Sequence, residues 1–274
     1  MFAPLPQFRS VVPYTPNQSY QKPQGALSLY APVVGLQPGQ AYQLRLAPAP
    51  GVPLALGVPG WLDIRLTDWR GVPPGQLQIL HEKPAHVFIV NQDLSEFQHV
   101  HPDVLQPGLL RVPVQFNSPG QHKLFLQFKT PEHGEQTLSQ AFQLGTATSN
   151  VPVQPMKPLI PDAYWPKQVG AYTFQVTGLP TRQNPMSMFQ VAVTQNGRPV
   201  SQIQPYLGAG AHGVMISQDG QAFVHTHPTS AAVNGFYQSP LMFHARIDRP
   251  GLYKMWVQTR IDDQIHTVDW VFQV

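Results

Sequence analysis

Apolar and polar residues alternate along most of this chain, in short runs separated by Gly and Pro. Alternation with a period of two is typical of a strand that buries one face of a sheet. Only 11% of the residues are charged, and 21 Gly and 31 Pro disfavour long solvated helices. The pattern therefore predicts an all-β protein. The alternating runs are at 41–47, 61–71, 75–80, 109–116, 121–129, 138–144, 171–178, 188–200, 241–247, 252–260 and 266–274.

One stretch of sequence occurs twice. Residues 85–102 read AHVFIVNQDLSEFQHVHP, and residues 211–228 read AHGVMISQDGQAFVHTHP. Further landmarks keep nearly the same spacing, among them Pro119-Gly120 with Pro250-Gly251 and Phe142-Gln143 with Phe272-Gln273. The duplication therefore covers whole domains of roughly seven strands each, which is typical of immunoglobulin-like or cupredoxin-like β-sandwiches.

Composition divides the chain into four segments. A Pro- and Gln-rich N-terminal arm is predicted at 1–25, a first β-sandwich at 26–144, a Pro-rich linker at 145–168 and a second β-sandwich at 169–274. The first choice is thus two tandem immunoglobulin/cupredoxin-like β-sandwich domains.

Charge and apolar runs exclude several function classes. The net charge of +3 comes from scattered Lys and Arg, which gives no support to nucleic-acid binding. The absence of Cys removes disulfides and thiolate metal sites, and no apolar run is long enough for a membrane span. The N-terminus lacks the features of a signal peptide. This leaves a cytoplasmic protein or an exported one with its leader missing from this sequence, and the composition favours an extracytoplasmic protein, periplasmic or secreted.

The repeated stretch predicts a hairpin that gathers histidines on one face. Asp219-Gly220 is a strong signal for a type I′ turn, and this turn places His212 opposite His227 and Val214 opposite His225. The same register in the first repeat pairs His86 with His101 and Phe88 with His99. Cross-strand partners share a face, so each repeat presents three imidazoles. The candidate metal ligands are His86, His99, His101, His212, His225 and His227.

Three imidazoles at this spacing suit a transition-metal ion. Their ring nitrogens can converge at the usual metal–nitrogen distance of about 2.0–2.1 Å. Three neutral imidazoles suit Cu(II) or Zn(II), and also Ni or Fe(II), with one coordination position left open. We expect copper first and zinc second. Two alternatives remain. A cupin-like metalloenzyme would use the open position and needs a substrate pocket beside the histidines. A structural or adhesive β-sandwich pair would direct the ring nitrogens to carbonyl oxygens without convergence.

Other chemical groups are weaker candidates. Asp93 and Asp219 are expected to form turns, since each lies roughly 20 Å along the strand from the first histidine of its stretch. His81 and Glu82 are expected on the surface. His122 follows a Pro-Gly turn as in a cupin metal site, yet Tyr253 occupies this place in the second repeat. His244 and His266 are expected to pack in the core or on the surface, and Met215 is predicted on the face opposite the triad.

The phrases at 207–228 and 250–274 resemble poorly characterised bacterial exported domains described as heavy-metal-associated, similar to the FixH and YtkA-like immunoglobulin-type family. This resemblance implies a small extracytoplasmic β-sandwich with a metal role. From the repeated histidine triad we expect a non-enzymatic protein that binds, buffers or delivers a copper or zinc ion, one per repeat. Its partners would be the metal ion and a candidate metal-receiving protein.

Overall fold

Two β-sandwiches make up the described part of the chain. The computed structural model describes residues 27–32, 36, 39–145 and 157–274, and the predicted N-terminal arm lies outside them. These residues contain strands and no α-helix, so no described helix could cross a bilayer. The first repeat contains β1 (Leu29–Tyr30), β2 (Gln43–Pro48), β3 (Gly60–Thr67), β4 (Ala85–Asn91), β5 (Phe97–Val100), β6 (Asp103–Gln106), β7 (Leu109–Val114), β8 (Gly120–Thr130) and β9 (Gly134–Leu144). The second contains β10 (Lys167–Val169), β11 (Tyr172–Thr177), β12 (Met186–Gln195), β13 (Arg198–Pro199), β14 (His212–Ser217), β15 (Phe223–Thr226), β16 (Leu241–Arg246), β17 (Leu252–Ile261) and β18 (Gln264–Gln273).

Each repeat packs two antiparallel sheets face to face. In the first repeat the orders are β1-β9-β8-β4-β5 and β2-β3-β7-β6. In the second they are β15-β14-β17-β18 and β10-β11-β12-β13, with β16 also paired to β12. The inward positions of these strands form one apolar core per repeat, around Ile64 and Leu126 in the first and Phe243 and Trp270 in the second. The prediction of an all-β tandem sandwich is confirmed.

The central strands β4 and β14 are buried on both faces. All residues of both strands are buried, whereas β11 alternates buried and exposed residues. Val87 and Ile89 face the core of their own repeat, while Phe88 and Val90 face the other repeat. An uninterrupted apolar run is the pattern expected of such a strand.

A third apolar cluster joins the two repeats. It combines Phe88, Val90, Leu94 and Phe125 with Val214, Ile216 and Trp256, and Phe97, Leu159 and Phe223 pack on its border. Two aromatic pairs cross the boundary in equivalent places. Phe97 stacks on Trp256 at 4.6 Å between ring centroids, and Phe223 stacks on Phe125 at 4.7 Å. Phe97 and Phe223 are equivalent positions of the two repeats, and so are Trp256 and Phe125. The interface therefore has the arrangement of a symmetric dimer within one chain.

Two local predictions were wrong. Residues 75–80 form only isolated bridges at Gln78 and Leu80, because a tight turn with positive φ at His81 and Glu82 follows directly. At the second hairpin Gly220 alone of the two turn residues has positive φ, which excludes a type I′ turn. The Gly220 amide instead donates to Ser217 O at 2.7 Å.

The predicted linker is described in part. Residues 146–156 lie outside the described residues, and the following segment runs along the edge of β18. The Asp162 amide donates to Val271 O at 2.9 Å, and Trp270 Nε1 donates to Trp165 O at 2.6 Å. The end of this segment therefore belongs to the packing of the second repeat.

Candidate metal centre

The predicted hairpin register is confirmed in both repeats. Phe88 pairs with His99 across β4 and β5, and Val214 pairs with His225 across β14 and β15. The even-numbered residues of β4 and β14 therefore share a face with the histidines of the partner strands. Each hairpin gathers its three imidazoles beside the interdomain cluster.

The first group, here called site one, consists of His86, His99 and His101. His86 Nδ1 lies 3.1 Å from His99 Nε2 and 3.2 Å from His101 Nε2. One nitrogen from each ring thus approaches a common point, and all three lie within 4.8 Å of one another. Nitrogens bound to one tetrahedral ion at about 2.0–2.1 Å are about 3.3–3.4 Å apart, and the two distances from His86 Nδ1 are close to this spacing.

The second group, here called site two, consists of His212, His225 and His227. His212 Nδ1 lies 3.1 Å from His225 Nε2 and 2.9 Å from His227 Nε2. The same ring atoms are used as in site one. The duplication has therefore kept the orientation of each imidazole as well as its position in the sequence.

Hydrogen bonds on the far side of the rings leave the converging nitrogens of His86 and His212 without protons. His86 Nε2 donates to Leu80 O at 2.9 Å, and His212 Nε2 donates to Tyr206 O at 2.9 Å. A neutral imidazole carries one N–H, so a ring that donates through Nε2 presents a lone pair at Nδ1. A carbonyl partner on the outer nitrogen is the usual arrangement behind a metal-bound histidine.

Glutamines from the opposite repeat hold the second histidine of each site. His99 Nδ1 donates to Gln258 Oε1 at 2.8 Å, and His225 Nδ1 donates to Gln127 Oε1 at 2.7 Å. Gln127 Nε2 donates to Glu135 at 2.7 Å, which fixes its amide orientation because a carboxylate only accepts. The Nε2 atoms of His99 and His225 are thereby left as lone pairs facing the other ligands.

Burial keeps these histidines neutral. His86 and His212 are fully buried, and the other four are partly buried. Burial, as the largest cause, lowers the pKa of His86 and of His212 to about 4, against an ordinary value of 6.5. It lowers the pKa of His101 to about 3 and that of His227 to about 2, with neighbouring histidines adding to the effect. Neutral rings are the form that binds metal.

The other candidates lie outside both sites. Asp93 and Asp219 each accept hydrogen bonds within their own hairpin turns, as predicted. His122 is buried between Phe116 and Phe142, and its Nδ1 donates to Gly120 O at 3.1 Å. His244 is exposed, while His266 packs on Tyr172, and Met215 lies in the core of the second repeat.

Three contributors were missed by the sequence reasoning. Gln127 and Gln258 stand at the same distance after their Pro-Gly turns, so the internal repeat carried a signal for them. His81 is exposed as predicted, yet its ring lies 3.9 Å from the ring of His227 between centroids. Leu207 takes its place in the second repeat, and no pattern within the sequence indicated that His81 would reach across the interface.

The two alternatives can be compared with this geometry. The structural alternative requires ring nitrogens that meet carbonyl oxygens without converging, whereas here the outer nitrogens meet oxygens and the inner nitrogens converge. The metalloenzyme alternative requires a pocket beside the histidines. The four cavities characterised in the described part of the chain include none lined by a site-one or site-two histidine, and the largest, about 660 Å³, lies near Trp165, Leu179 and Phe272. These cavities give that alternative no support.

Comparison with known proteins identifies the family of the chain and no function. No curated protein matches it. A crystal structure of TarS from S. aureus is similar over 82% of this chain and 39% of that protein, with 7% identity and a TM-score of 0.22. This chain spans well under half of that protein, and neither fold nor function is inferred from the match. A model for a domain of unknown function, DUF8832, matches residues 40–147 and again residues 167–274. The chain therefore belongs to the DUF8832 family and contains its domain twice.

Proposed function

We propose that this protein binds two transition-metal ions, one in each histidine triad, and serves to hold, buffer or deliver them. The observation that carries the proposal is the set of six inward-facing ring nitrogens, four of which are unprotonated because their rings donate outward to oxygen atoms. Lone pairs about 3 Å apart, such as those of His86 Nδ1 and His99 Nε2, repel each other unless a cation lies between them. A bound metal ion would remove this repulsion, which supports the proposal.

The donor set favours copper first and zinc second. All six ligands are neutral imidazoles, and for nitrogen ligands copper is bound more tightly than zinc. Three ligands leave one position for water or for an incoming group. His101 and His227 remain partly exposed, which supports exchange of the ion with a receiving protein.

We place this role outside the cytoplasm, in the periplasm or in a secreted form. The support is compositional, together with the resemblance to exported heavy-metal-associated domains of the FixH and YtkA-like kind. DUF8832 carries no functional description that names a metal or a compartment. The compartment and the metal therefore belong to the proposal.

Calorimetric titration of the metal-free protein with Cu(II) and with Zn(II) tests the binding. We expect saturable uptake that is lost in the double variant His99→Ala/His225→Ala, because each substitution removes one ligand from its triad. A matched control, His133→Ala/His244→Ala, removes two exposed histidines outside the sites and should bind as the unmodified protein does. Absence of saturable uptake, or equal loss in the control, would overturn the proposal.

A further inference from the structure

The two triads lie against each other across the interdomain boundary. Ring centroids within a triad are 4.4–5.4 Å apart. Between the triads, His86 lies 5.6 Å from His225, and His99 lies 5.7 Å from His212. The nearest rings of the two triads are thus hardly farther apart than the rings within one triad. The six rings form a single cluster.

Each triad also depends on the other repeat for its orientation. The outer nitrogen of His99 is held by Gln258 from the second repeat, and that of His225 by Gln127 from the first. These glutamines occupy equivalent positions on β17 and β8. Neither repeat alone therefore supplies a fully positioned site, although each supplies all three ligands of its own.

Charge couples the two sites as well. The converging groups of the described residues are neutral imidazoles with no carboxylate among them. Two ions bound in adjoining triads of a partly buried cluster repel each other, and this repulsion grows with the product of their charges. At equal distance the repulsion energy is four times larger for two divalent ions than for two monovalent ions.

We propose that sites one and two form one coupled two-ion centre, in which each repeat positions a ligand for the other repeat's ion and a divalent ion at one site opposes a second. This inference rests on the proposed function, since it requires that the triads bind metal. It adds that the binding unit is the docked pair of repeats.

Stepwise affinities test the charge coupling. Zn(II) is titrated against a chromophoric chelator, in the unmodified protein and in two single-site variants. His225→Ala leaves site one, and His99→Ala leaves site two. We expect the second Zn(II) to bind the unmodified protein at least 10-fold more weakly than either single-site variant binds its one ion. The same comparison with Cu(I) should give a smaller factor, because the product of charges is lower.

Substitution of each glutamine tests whether it positions a ligand in the opposite repeat, because only the metal affinity of that repeat's site should fall. In the His99→Ala background, Gln127→Leu should weaken Zn(II) binding at site two about 10-fold, the usual effect of removing a partner behind a metal ligand. In the His225→Ala background, Gln258→Leu should do the same at site one. Gln258→Glu keeps an acceptor oxygen and should restore binding. The control is Gln140→Leu, a buried glutamine that donates to Pro32 O and Ala141 O, and it should change affinity less than twofold.

The outcomes separate the two proposals. No saturable metal uptake by the unmodified protein overturns the proposed function. Two ions that bind with the affinities of the single-site variants, together with glutamine variants that behave as the control, overturn the coupled centre alone. If circular dichroism shows that a Leu variant does not fold, the Glu variant and the comparison of Zn(II) with Cu(I) still test the coupled centre.

Discussion

The interface between the repeats makes a quantitative prediction at Trp256. This side chain is 4% exposed and belongs to the interdomain cluster, where it stacks on Phe97 of the other repeat. Replacing a buried Trp by Ala costs about 3–5 kcal/mol, since it removes the buried area and leaves a cavity. We therefore expect Trp256→Ala to lower the free energy of unfolding by this amount.

The assay is urea unfolding of the metal-free protein followed by far-UV circular dichroism, which does not depend on tryptophan emission. Trp69→Ala is the matched control, because Trp69 is 76% exposed and its loss should change stability by less than about 0.5 kcal/mol. A double-mutant cycle with Phe97→Ala should give a coupling energy of about 0.5–1.5 kcal/mol across the boundary. A loss below about 1 kcal/mol for Trp256→Ala, or a coupling of zero, would refute the docked arrangement of the repeats.

Two further predictions concern pH and a lysine at the interface. Burial lowers the pKa of His86 and of His212 from 6.5 to about 4. Below pH 6.5 the unfolded chain therefore binds more protons than the folded protein, and the free energy of unfolding decreases as the pH is lowered, until the pH reaches the folded pKa. When the pH is lowered from 7.5 to 5, each of these two histidines should reduce the free energy of unfolding by about 2 kcal/mol. Urea unfolding in the presence of a chelator measures this loss, and a stability that does not change with pH in this range would contradict the burial of neutral histidines. Lys123 Nζ donates to Gly220 O of the other repeat at 2.6 Å, so Lys123→Met should cost about 1–2 kcal/mol. Its counterpart Lys254 pairs with Asp269 of its own repeat, and Lys254→Met should cost less than about 1 kcal/mol, which the same unfolding assay would show.

The triads themselves could be predicted from sequence because they depend on local pairing. Strand alternation and a hairpin of fixed length decide which side chains share a face, so His99 opposite Phe88 followed by counting. The register holds even though the turn type differs. Gly220 and the equivalent Leu94 both adopt positive φ within a longer turn, and the Leu94 amide donates to Asn91 O at 3.1 Å. Turn type and register are separable, and the site needed only the register.

The contact between the two sites could not be predicted, because it depends on residues that lie 98 and 159 positions apart in the sequence. One signal was present in AHVFIVN and AHGVMIS, which do not alternate as half-buried strands do. Such runs indicate that both faces are covered, and the second covering surface is the other repeat. The partner of each outer histidine nitrogen, Gln258 for His99 and Gln127 for His225, follows from this docking alone.

Anomalous diffraction from crystals loaded with Cu(II) or Zn(II) would show whether the two histidine triads hold metal ions. We expect metal peaks at the two triads, each about 2.0–2.1 Å from Nδ1 of His86 or His212 and from the two Nε2 atoms of the same triad. Crystals soaked at saturating metal with no peak at either triad, or with peaks only at exposed histidines such as His133 and His244, would contradict it.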